Sequence, residues 1–343
     1  MKSRLFLYTP WCEQGLSYDA KAIEKIAIEN DIEPIVTFNK KRKIQWDCTF
    51  VPEKKLLNQI NEEDILFCFE RFPQSIINDL KNKCKAMYLM INYEYYDSSY
   101  INYYKQFDRL YCKSKIAIDG CKRDGLKNYY YMPWILWNHP IKKVNQIGEK
   151  VKVLFNGGTG GYKDRRNLES IISLLKNYKD DDIHVTIKVT KKMRSWTKNI
   201  YNRNKKFIKN DCRIALLRDN MDKTEYINFL NTFDVNLAPS KYEGFGLTIL
   251  EGLHSRLATL TLDESPMNEI ISHNVNGYCM PAVEIDKVRN QPIFSVEESV
   301  FLEWFTKIVK NKNKLISMKS MTSKFLEKNI LNFNNHFKKI FHE

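Results

Sequence analysis

The sequence lacks any long apolar run. No stretch of its 343 residues approaches the roughly 18–20 consecutive apolar residues that a membrane-spanning helix requires. The apolar segment at the amino terminus ends at Tyr8 and meets Thr9 and Pro10 directly, so it is too short for the apolar region of a signal peptide. We therefore predict a cytoplasmic protein.

The sequence also lacks paired cysteines. It contains eight cysteines, and no two of them have the spacing of a C-x-x-C motif. Nothing in this pattern indicates a zinc site, and without a secretion signal a disulfide framework is not expected. We predict reduced, mostly buried thiols and no metal site.

Acidic residues are too few to balance the basic ones. The 55 lysines and arginines exceed the 41 acids, which gives a formal net charge of +14. A Lys- and Asn-rich composition spread over solvated surfaces is one explanation. The alternatives are attraction for an anionic substrate, an anionic membrane surface or nucleic acid. No interleaved basic and aromatic motif of the usual nucleic-acid-binding modules is present, so no nucleic-acid partner is expected.

Short apolar runs alternate with helical patterns along the whole chain, which predicts βαβ units and an α/β fold. The length suggests two domains, and the 43% hydrophobic content is enough for two cores. The predicted strands are 4–9, 33–38, 64–69, 86–91, 109–112 and 129–132 in the first half, and 151–155, 183–189, 213–217, 234–238 and 257–262 in the second.

The segment 239–251 is predicted to bind a ligand. It connects a strand to a helix through a turn that contains Gly244 and Gly246. In parallel α/β sheets, ligands bind outside the carboxyl ends of the strands. Glycine permits positive φ and close approach of the backbone, and the first amides of a helix favour a phosphate.

Two glutamates accompany this turn. Glu243 precedes it, and Glu251 lies about one helical turn beyond Leu247 on the same face. A phosphate site does not usually contain carboxylates, but carboxylates can accept hydrogen bonds from neutral hydroxyl groups. A ligand with hydroxyls at both ends of a diphosphate is a nucleotide sugar. Solvated or helix-capping glutamates are the alternative.

A second bend, 156–167, has the composition of an anion-binding loop. Four glycines and three cations lie between a predicted strand and a predicted helix. Flexible backbone amides and charged side chains together suit an anion. The segment is neither a Walker P-loop nor the G-x-G-x-x-G dinucleotide motif. A solvated basic loop is the alternative.

The string Pro-Ser-x-x-Glu-Gly-Phe-Gly-Leu at 239–247, with a second glutamate eight positions after the first, resembles the donor site of the GT-B retaining glycosyltransferases of family GT4. The resemblance implies two Rossmann-like, doubly wound parallel-sheet domains that face each other across a cleft. It implies an acceptor-side domain at 1–140, a donor-binding domain at 150–310, and a carboxyl-terminal helix, 315–343, that packs back on the first domain.

The same resemblance implies roles for individual residues. Glu243 would contact the transferred sugar, Glu251 the ribose, and the turn amides the phosphates. Arg166 would neutralise the diphosphate, with Arg165 and Lys163 as the next candidates. The donor-binding residues implied are therefore Gly15, Gly158, Lys163, Arg165, Arg166, Glu243, Gly244, Phe245, Gly246, Leu247 and Glu251, with no metal.

The chain departs from this family at one place. Many members have a histidine near the sugar, at a position that corresponds here to residues 92–97, and this segment has none. Glu94 or Tyr93 can take its place, and we assign Glu94 to the catalytic set with Glu243 and Arg166. An aromatic surface loop is the alternative interpretation.

These features predict a metal-independent retaining glycosyltransferase. Its donor would be a UDP- or GDP-linked sugar, and its acceptor a glycan, glycolipid or glycoprotein. The alternatives are a glycoside hydrolase that uses Glu243 and Glu251 as its acid pair, a sugar-nucleotide-binding protein without transferase activity, and a basic nucleic-acid-binding protein.

Two further expectations concern the carboxyl-terminal third. Ser295 and Glu298 have the spacing of a capping box that begins a helix through Ile308. The basic helical tail carries an apolar stripe of Phe325, Ile330, Phe337 and Phe341. This stripe can pack into a core or lie peripherally on an anionic membrane.

Overall fold

The computed structural model describes residues 3–39, 44–219 and 221–342. They divide into two compact units, one formed by Met1–Asn138 with Lys328–Glu343 and the other by His139–Glu327. We predicted domains at 1–140 with 315–343 and at 150–310. Each unit contains one parallel sheet with its own core.

The first unit is built on a seven-stranded parallel sheet in the order β3-β2-β1-β4-β5-β6-β7. Its strands are β1 (Arg4–Tyr8), β2 (Glu33–Phe38), β3 (Phe50–Pro52), β4 (Ile65–Phe69), β5 (Ala86–Ile91), β6 (Arg109–Cys112) and β7 (Tyr129–Tyr131). Its helices are α1 (Gly15–Glu29), α2 (Leu56–Gln59), α3 (Ile77–Lys81), α4 (Ile101–Tyr104) and α5 (Lys115–Arg123). The central strands are continuous apolar runs because both faces of a parallel sheet are buried, and all five residues of β4 are buried.

The second unit contains a six-stranded parallel sheet in the order β10-β9-β8-β11-β12-β13. Its strands are β8 (Val151–Gly158), β9 (Ile183–Val189), β10 (Ile214–Leu217), β11 (Val235–Ala238), β12 (Ala258–Leu262) and β13 (Gly277–Met280), followed by an antiparallel hairpin of β14 (Val283–Val288) and β15 (Gln291–Ser295). Its helices are α6 (Leu168–Asn177), α7 (Ser195–Asn210), α8 (Lys223–Leu230), α9 (Leu247–His254), α10 (Met267–Ile270) and α11 (Glu298–Lys310).

The strand order reverses once in each sheet. The reversal lies between β1 and β4 in the first unit and between β8 and β11 in the second. At such a point the two following loops diverge and leave a crevice at the carboxyl ends of the strands. The prediction of doubly wound parallel-sheet domains is confirmed.

The tail forms one long helix, α12 (Lys312–His342). Within the second unit, the buried Lys319 pairs with Asp234 at an Nζ–Oδ1 distance of 2.5 Å. Within the first unit, Phe333 packs edge-on against Trp134 with ring centroids 5.3 Å apart. Of the predicted apolar stripe, Phe337 is buried and Phe325 and Ile330 are half-buried, while the side chain of Phe341 lies outside the described residues.

Two local predictions are wrong. Ser295 is not a helix cap: it ends β15, pairs with Val283, and α11 begins after Glu297 instead. The strand predicted to end at Phe155 continues to Gly158 through an irregularity in its pairing with β9.

All eight cysteines are free thiols; four are buried, three are half-buried and Cys212 is exposed. No helix within the described ranges is long and apolar enough to cross a membrane.

Candidate functional site

The two glycine-bearing bends of the second unit lie side by side. Because β11 pairs directly with β8, the loops that follow these strands leave the same edge of the sheet at the reversal of strand order. The backbone N–H of Lys241 donates to the carbonyl of Arg165 at 2.8 Å. The hydroxyl of Tyr242 donates to the carbonyl of Tyr162 at 3.1 Å. The fold therefore joins the two segments that the sequence singled out.

An ion pair links the side chains of the two bends. Arg166 Nη1 donates to Glu243 Oε1. The same nitrogen lies 3.1 Å from Thr248 Oγ1 and 3.4 Å from Ser240 Oγ. Arg165 Nη1 lies 3.8 Å from the other carboxylate oxygen of Glu243. These contacts use one nitrogen of Arg166, and a guanidinium carries five N–H donors, so capacity for an anionic ligand is left.

The environment of Glu243 keeps it ionised. Its side chain is 5% exposed, and this burial alone would disfavour the charged form. The charges of Arg166 and Arg165 and the hydroxyl of Ser240 outweigh the burial and lower the pKa of Glu243 below its ordinary value. The site therefore holds a carboxylate between two cations.

Backbone angles explain part of the glycine content. Positive φ values occur at Gly158 (51°), Gly160 (91°) and Gly161 (101°) in the first bend and at Gly246 (101°) in the second. Gly244 is not among the described residues with positive φ, so only one of the two predicted turn glycines has that role. A side-chain carbon on Gly160 would lie 1.6 Å from Thr197 Oγ1, so this position also needs the space.

Gly246 is the left-handed residue that precedes α9. The helix begins at Leu247. The N–H groups of Ile249 and Leu250 donate to the carbonyl of Gly246 at 2.9 and 3.2 Å, which leaves those of Leu247 and Thr248 at the helix start. Gly244 and the buried Phe245 lead directly into this helix start. The predicted amide group is thus assembled at the amino end of a helix, where the dipole favours an anion.

Glu251 lies further along α9 and belongs to a polar network. Tyr226 donates its hydroxyl proton to Glu251 Oε2 at 2.8 Å and accepts from Asn156 Nδ2 at 2.7 Å. Burial raises the pKa of Glu251, although Tyr226 and the charges of Arg166, Lys223 and Lys188 oppose this shift. A carboxylate in this setting can accept hydrogen bonds from hydroxyl groups.

Sequence reasoning missed the members of this network other than Glu251. Asn156 and Lys188 are paired across β8 and β9, and the Lys188 ammonium lies 5.5 Å from the centre of the Tyr226 ring. Polar residues at paired positions of two adjacent buried strands are a sequence signal that could have identified Asn156 and Lys188. Nothing in the sequence near Tyr226 indicates its contact with a helix 25 residues later.

The hairpin supports the second bend, and sequence reasoning missed this as well. The buried Gln291 donates from Nε2 to the carbonyl of Glu243. The N–H of Phe294 donates to the carbonyl of Lys241 at 2.9 Å. Lys163 is drawn to the same hairpin, where it forms an ion pair with Asp286. Lys163 therefore differs from Arg165 and Arg166, which contact Glu243.

The remaining predicted site residues, Gly15 and Glu94, belong to the first unit. Gly15 is the first residue of α1, which follows β1. Glu94 lies in a single 3-10 turn, Tyr93–Tyr95, directly after β5. Both therefore follow strands of the first sheet.

The first unit contains its own crevice at the reversal of strand order. Glu70, directly after β4, has a φ of 64° and accepts a hydrogen bond from Asn92 Nδ2 at 2.7 Å. Burial raises the pKa of Glu70, with the charge of Glu94 contributing in the same direction. Glu70 and Arg71 line two cavities of 250 and 130 Å³, and the smaller one is walled by Phe72, Tyr95, Tyr100, Tyr103 and Tyr104.

No group of three or more His, Cys, Asp or Glu residues within 3–39, 44–219 and 221–342 is arranged to hold a metal ion. The positive groups at the joined bends are the side chains of Arg165 and Arg166, which contact Glu243, those of Lys163 and Lys241, and the amides at the start of α9. This arrangement can stabilise an anion and bind hydroxyl groups beside it.

Comparison with known proteins agrees with this geometry. The model of the family described as Glycosyl transferases group 1 matches residues 140–291, which include both bends. No curated protein matches the chain. The family model covers less than half of the chain.

Three solved structures illustrate the likeness. A glycosyltransferase from Rickettsia africae aligns with a TM-score of 0.73 at 12% identity, over 99% of this chain and 98% of that one. HepE from Anabaena, in complex with UDP and glucose, aligns with a TM-score of 0.72 at 10% identity over 100% of both chains. The pneumococcal O-GlcNAc transferase GtfA, in complex with UDP and GlcNAc, aligns with a TM-score of 0.72 at 10% identity over 99% of both chains. At these identities the likeness establishes the fold, which is that of the GT-B glycosyltransferases.

Proposed function

We propose that this protein is a retaining glycosyltransferase of the GT4 type that moves a sugar from a nucleotide-diphosphate donor to a hydroxyl acceptor. The observation that carries the proposal is the joining of two glycine-bearing bends at one reversal of strand order, with Arg165 and Arg166 placed beside Glu243. The family match over residues 140–291 supports the reaction class.

In this proposal the second unit binds the donor. Arg166, with Arg165, neutralises the diphosphate together with the amides of 244–247 and the open backbone at Gly158. Glu243 orients the sugar by accepting hydrogen bonds from its hydroxyls. Glu251, held by Tyr226, accepts hydrogen bonds from the ribose.

Catalysis would be electrostatic. As the sugar leaves, negative charge grows on the departing diphosphate, and preorganised cations and amides stabilise that charge. Losing one such donor typically costs about 3 kcal/mol of transition-state stabilisation. Because two arginines and a helix terminus supply the positive charge, we propose that no metal is required. Activity should therefore survive an excess of EDTA.

The acceptor side is proposed for the first unit. Its crevice combines carboxylates with aromatic walls, which suits an acceptor rich in hydroxyl groups, such as a glycan, glycolipid or glycoprotein. The roles of Gly15 and Glu94 stay predictions that the family resemblance implies. A cytoplasmic location and contact with an anionic membrane stay predictions too, and the net charge of +14 supports the second.

A thermal-shift screen of UDP, GDP, ADP and their sugars tests donor binding. A ligand at a hundred times its dissociation constant stabilises the protein by roughly 2.7 kcal/mol. We expect UDP and its sugars to give the largest shift, since HepE and GtfA were solved with UDP. The shift should be weaker in Arg166→Ala and Glu251→Ala; an undiminished shift in both variants would contradict this placement of the donor.

One observation favours a second candidate, a glycoside hydrolase. The pKa values of Glu243 and Glu251 are displaced in opposite directions, as in an acid and nucleophile pair. Such an enzyme would release sugar from a simple glycoside without nucleotide. Nucleotide-dependent stabilisation with no hydrolysis would exclude the hydrolase. Stabilisation without transfer to any acceptor would indicate a binding protein that lacks activity.

A further inference from the structure

A second cavity of the second unit lies between the glycine-rich bend and α7. Its volume is 510 Å³. Lys163, Asp164 and Lys241 of the two bends form one part of the wall with Glu169 of α6. Trp196, Asn199, Asn202 and Arg203 of α7 form another, and Arg203 pairs with Glu169 at 3.2 Å. Arg166, Glu243 and Glu251 do not line it, so this cavity is separate from the proposed donor site.

The aromatic residue in this wall is unusually accessible. Trp196 is 50% exposed, although the neighbouring Thr197 and Ile200 of the same helix are buried in the unit. A half-exposed indole at the edge of a concave surface offers a flat apolar face, and the amides of Asn199 and Asn202 beside it offer hydrogen-bond donors and acceptors. This combination suits a sugar ring, whose two faces are apolar and whose rim carries hydroxyls.

The many basic residues around the cavity favour an acidic saccharide over a neutral one. Residues 191–213 contain nine lysines and arginines and one aspartate, although the whole chain has a net charge of only +14. Helix α7 itself carries five cations and no acidic residue. Because its buried face is formed by Thr197, Ile200, Tyr201 and Ile208, its cations lie on the solvent side. Such a surface attracts a polyanion.

A buried carboxylate in the wall has unused hydrogen-bonding capacity. Asp164 is 2% exposed, and its Oδ2 accepts from the N–H of Glu169 at 3.0 Å. Its Oδ1 has no hydrogen-bond partner within the described part of the chain. Buried polar atoms are normally paired, so this oxygen is an unsatisfied hydrogen-bond acceptor beside the cavity.

We propose that this cavity binds an acidic saccharide chain, with one ring stacked on Trp196 and its carboxylate or sulfate groups paired with Lys241 and the cations of α7. The proposal does not depend on the proposed transfer reaction, since it concerns binding in the absence of donor. The proposal accounts for the basic segment 191–213, which has no role in the proposed donor site.

Titration calorimetry with three probes tests the proposal: a heparin hexasaccharide, maltohexaose, and a polyphosphate of the same charge as the heparin fragment. We expect heparin to bind at least tenfold more tightly than the other two. Trp196→Ala should weaken heparin binding about tenfold and leave polyphosphate binding unchanged, whereas Trp196→Phe should retain most of the affinity for heparin.

Lys206→Ala, which removes a cation of α7 outside the cavity lining, is the matched control and should weaken heparin and polyphosphate binding equally. An unchanged thermal shift with UDP in Trp196→Ala would show that the variant is folded. Equal affinity for heparin and polyphosphate, no effect of Trp196→Ala, or equal binding of maltohexaose would overturn the proposal. Trp196-dependent capture by phosphatidylglycerol vesicles without heparin binding would overturn it in favour of a membrane surface.

Discussion

The two crevices of this protein share one topology and differ in charge. Each lies where the strand order of a parallel sheet reverses. In the second unit the crevice collects glycines, Arg165 and Arg166 around one ionised glutamate. In the first unit it collects Glu70, Glu94, one arginine, Arg71, and tyrosine side chains. The strand order thus determines where a ligand can bind, and the loops determine what kind of ligand it is.

The difference also appears in how the carboxylates are held. Glu243 is flanked by cations that lower its pKa, whereas burial raises the pKa of Glu70. A crevice with excess positive charge suits a phosphate, and one with carboxylates and aromatic walls suits neutral hydroxyls. The predictions below test this contrast in order of decreasing effect.

Removing the cation of the second crevice should have the largest effect. Arg166→Ala should lower the transfer rate by about 10²–10³-fold, because a group that stabilises the leaving diphosphate is lost. It should also lower the free energy of unfolding by about 3–5 kcal/mol, since Glu243 is left buried without its closest partner. Steady-state kinetics and urea unfolding measure the two effects. Lys163→Ala, which breaks an exposed pair with Asp286, is the control and should change stability little.

The two glutamates of the second crevice should respond to pH in opposite ways. The lowered pKa of Glu243 means that its contribution to stability is present at neutral pH and is lost as pH falls below the ordinary glutamate value. The raised pKa of Glu251 means that its contribution is present in acid and is lost as pH rises through the raised value. At pH 7, Glu243→Gln should therefore destabilise the protein by about 1–3 kcal/mol, whereas Glu251→Gln should not.

Unfolding curves between pH 4 and 8 check this prediction. The difference between Glu243→Gln and the wild type should shrink as the solution becomes acidic. Equal pH profiles for the two variants would mean that the charges of Arg165 and Arg166 do not govern the titration of Glu243. Glu251→Gln should still weaken the thermal shift with UDP.

A pair of glycines tests the backbone of the two units. Gly160 in the second unit and Gly125 in the first both have positive φ, but a side-chain carbon would meet Thr197 Oγ1 at Gly160 and nothing within 4 Å at Gly125. Gly125→Ala should cost about 1–2 kcal/mol, the strain of a left-handed alanine. Gly160→Ala should cost more and should also weaken UDP binding. Thermal unfolding of both variants, with and without UDP, measures this contrast.

The smallest effect is expected in the first crevice. Glu70→Gln keeps the shape of the side chain and removes its charge, so it should lower the transfer rate about tenfold and leave donor binding unchanged. The thermal shift with UDP and the transfer rate with a fixed acceptor separate the two quantities. A loss of donor binding in this variant would show that the first crevice also contributes to donor binding, which contradicts the assignment of donor and acceptor to different crevices.

Much of the fold and part of the site could be predicted from the sequence. Strands such as β4 and β5 were predicted because a strand buried on both faces is a continuous apolar run. The two bends were predicted because glycines, cations and glutamates are concentrated between a strand and a helix. These signals are local: within each bend, the glycines and charged residues lie within about a dozen residues of one another.

The remaining features depend on contacts between distant residues. Tyr226 contacts Glu251, and Gln291 contacts the backbone of Glu243, which lies 48 positions away. No periodicity near either residue indicates these contacts. The capping box predicted at Ser295 is wrong for the same reason. Ser295 pairs with Val283 in the hairpin and does not make the local hydrogen bond of a cap.

Helix α12 has a consequence for synthesis of the chain. The sheet of the first unit is complete at Tyr131, but Trp134 accepts a hydrogen bond at its carbonyl from Asn329, 195 residues later. At about 5–20 residues per second, the ribosome would need about 10–40 s to supply that partner. During that interval the surface that later receives Phe333 and Phe337 is left uncovered on the nascent chain. Transiently exposed apolar surface of this kind is prone to aggregation until the tail helix covers it.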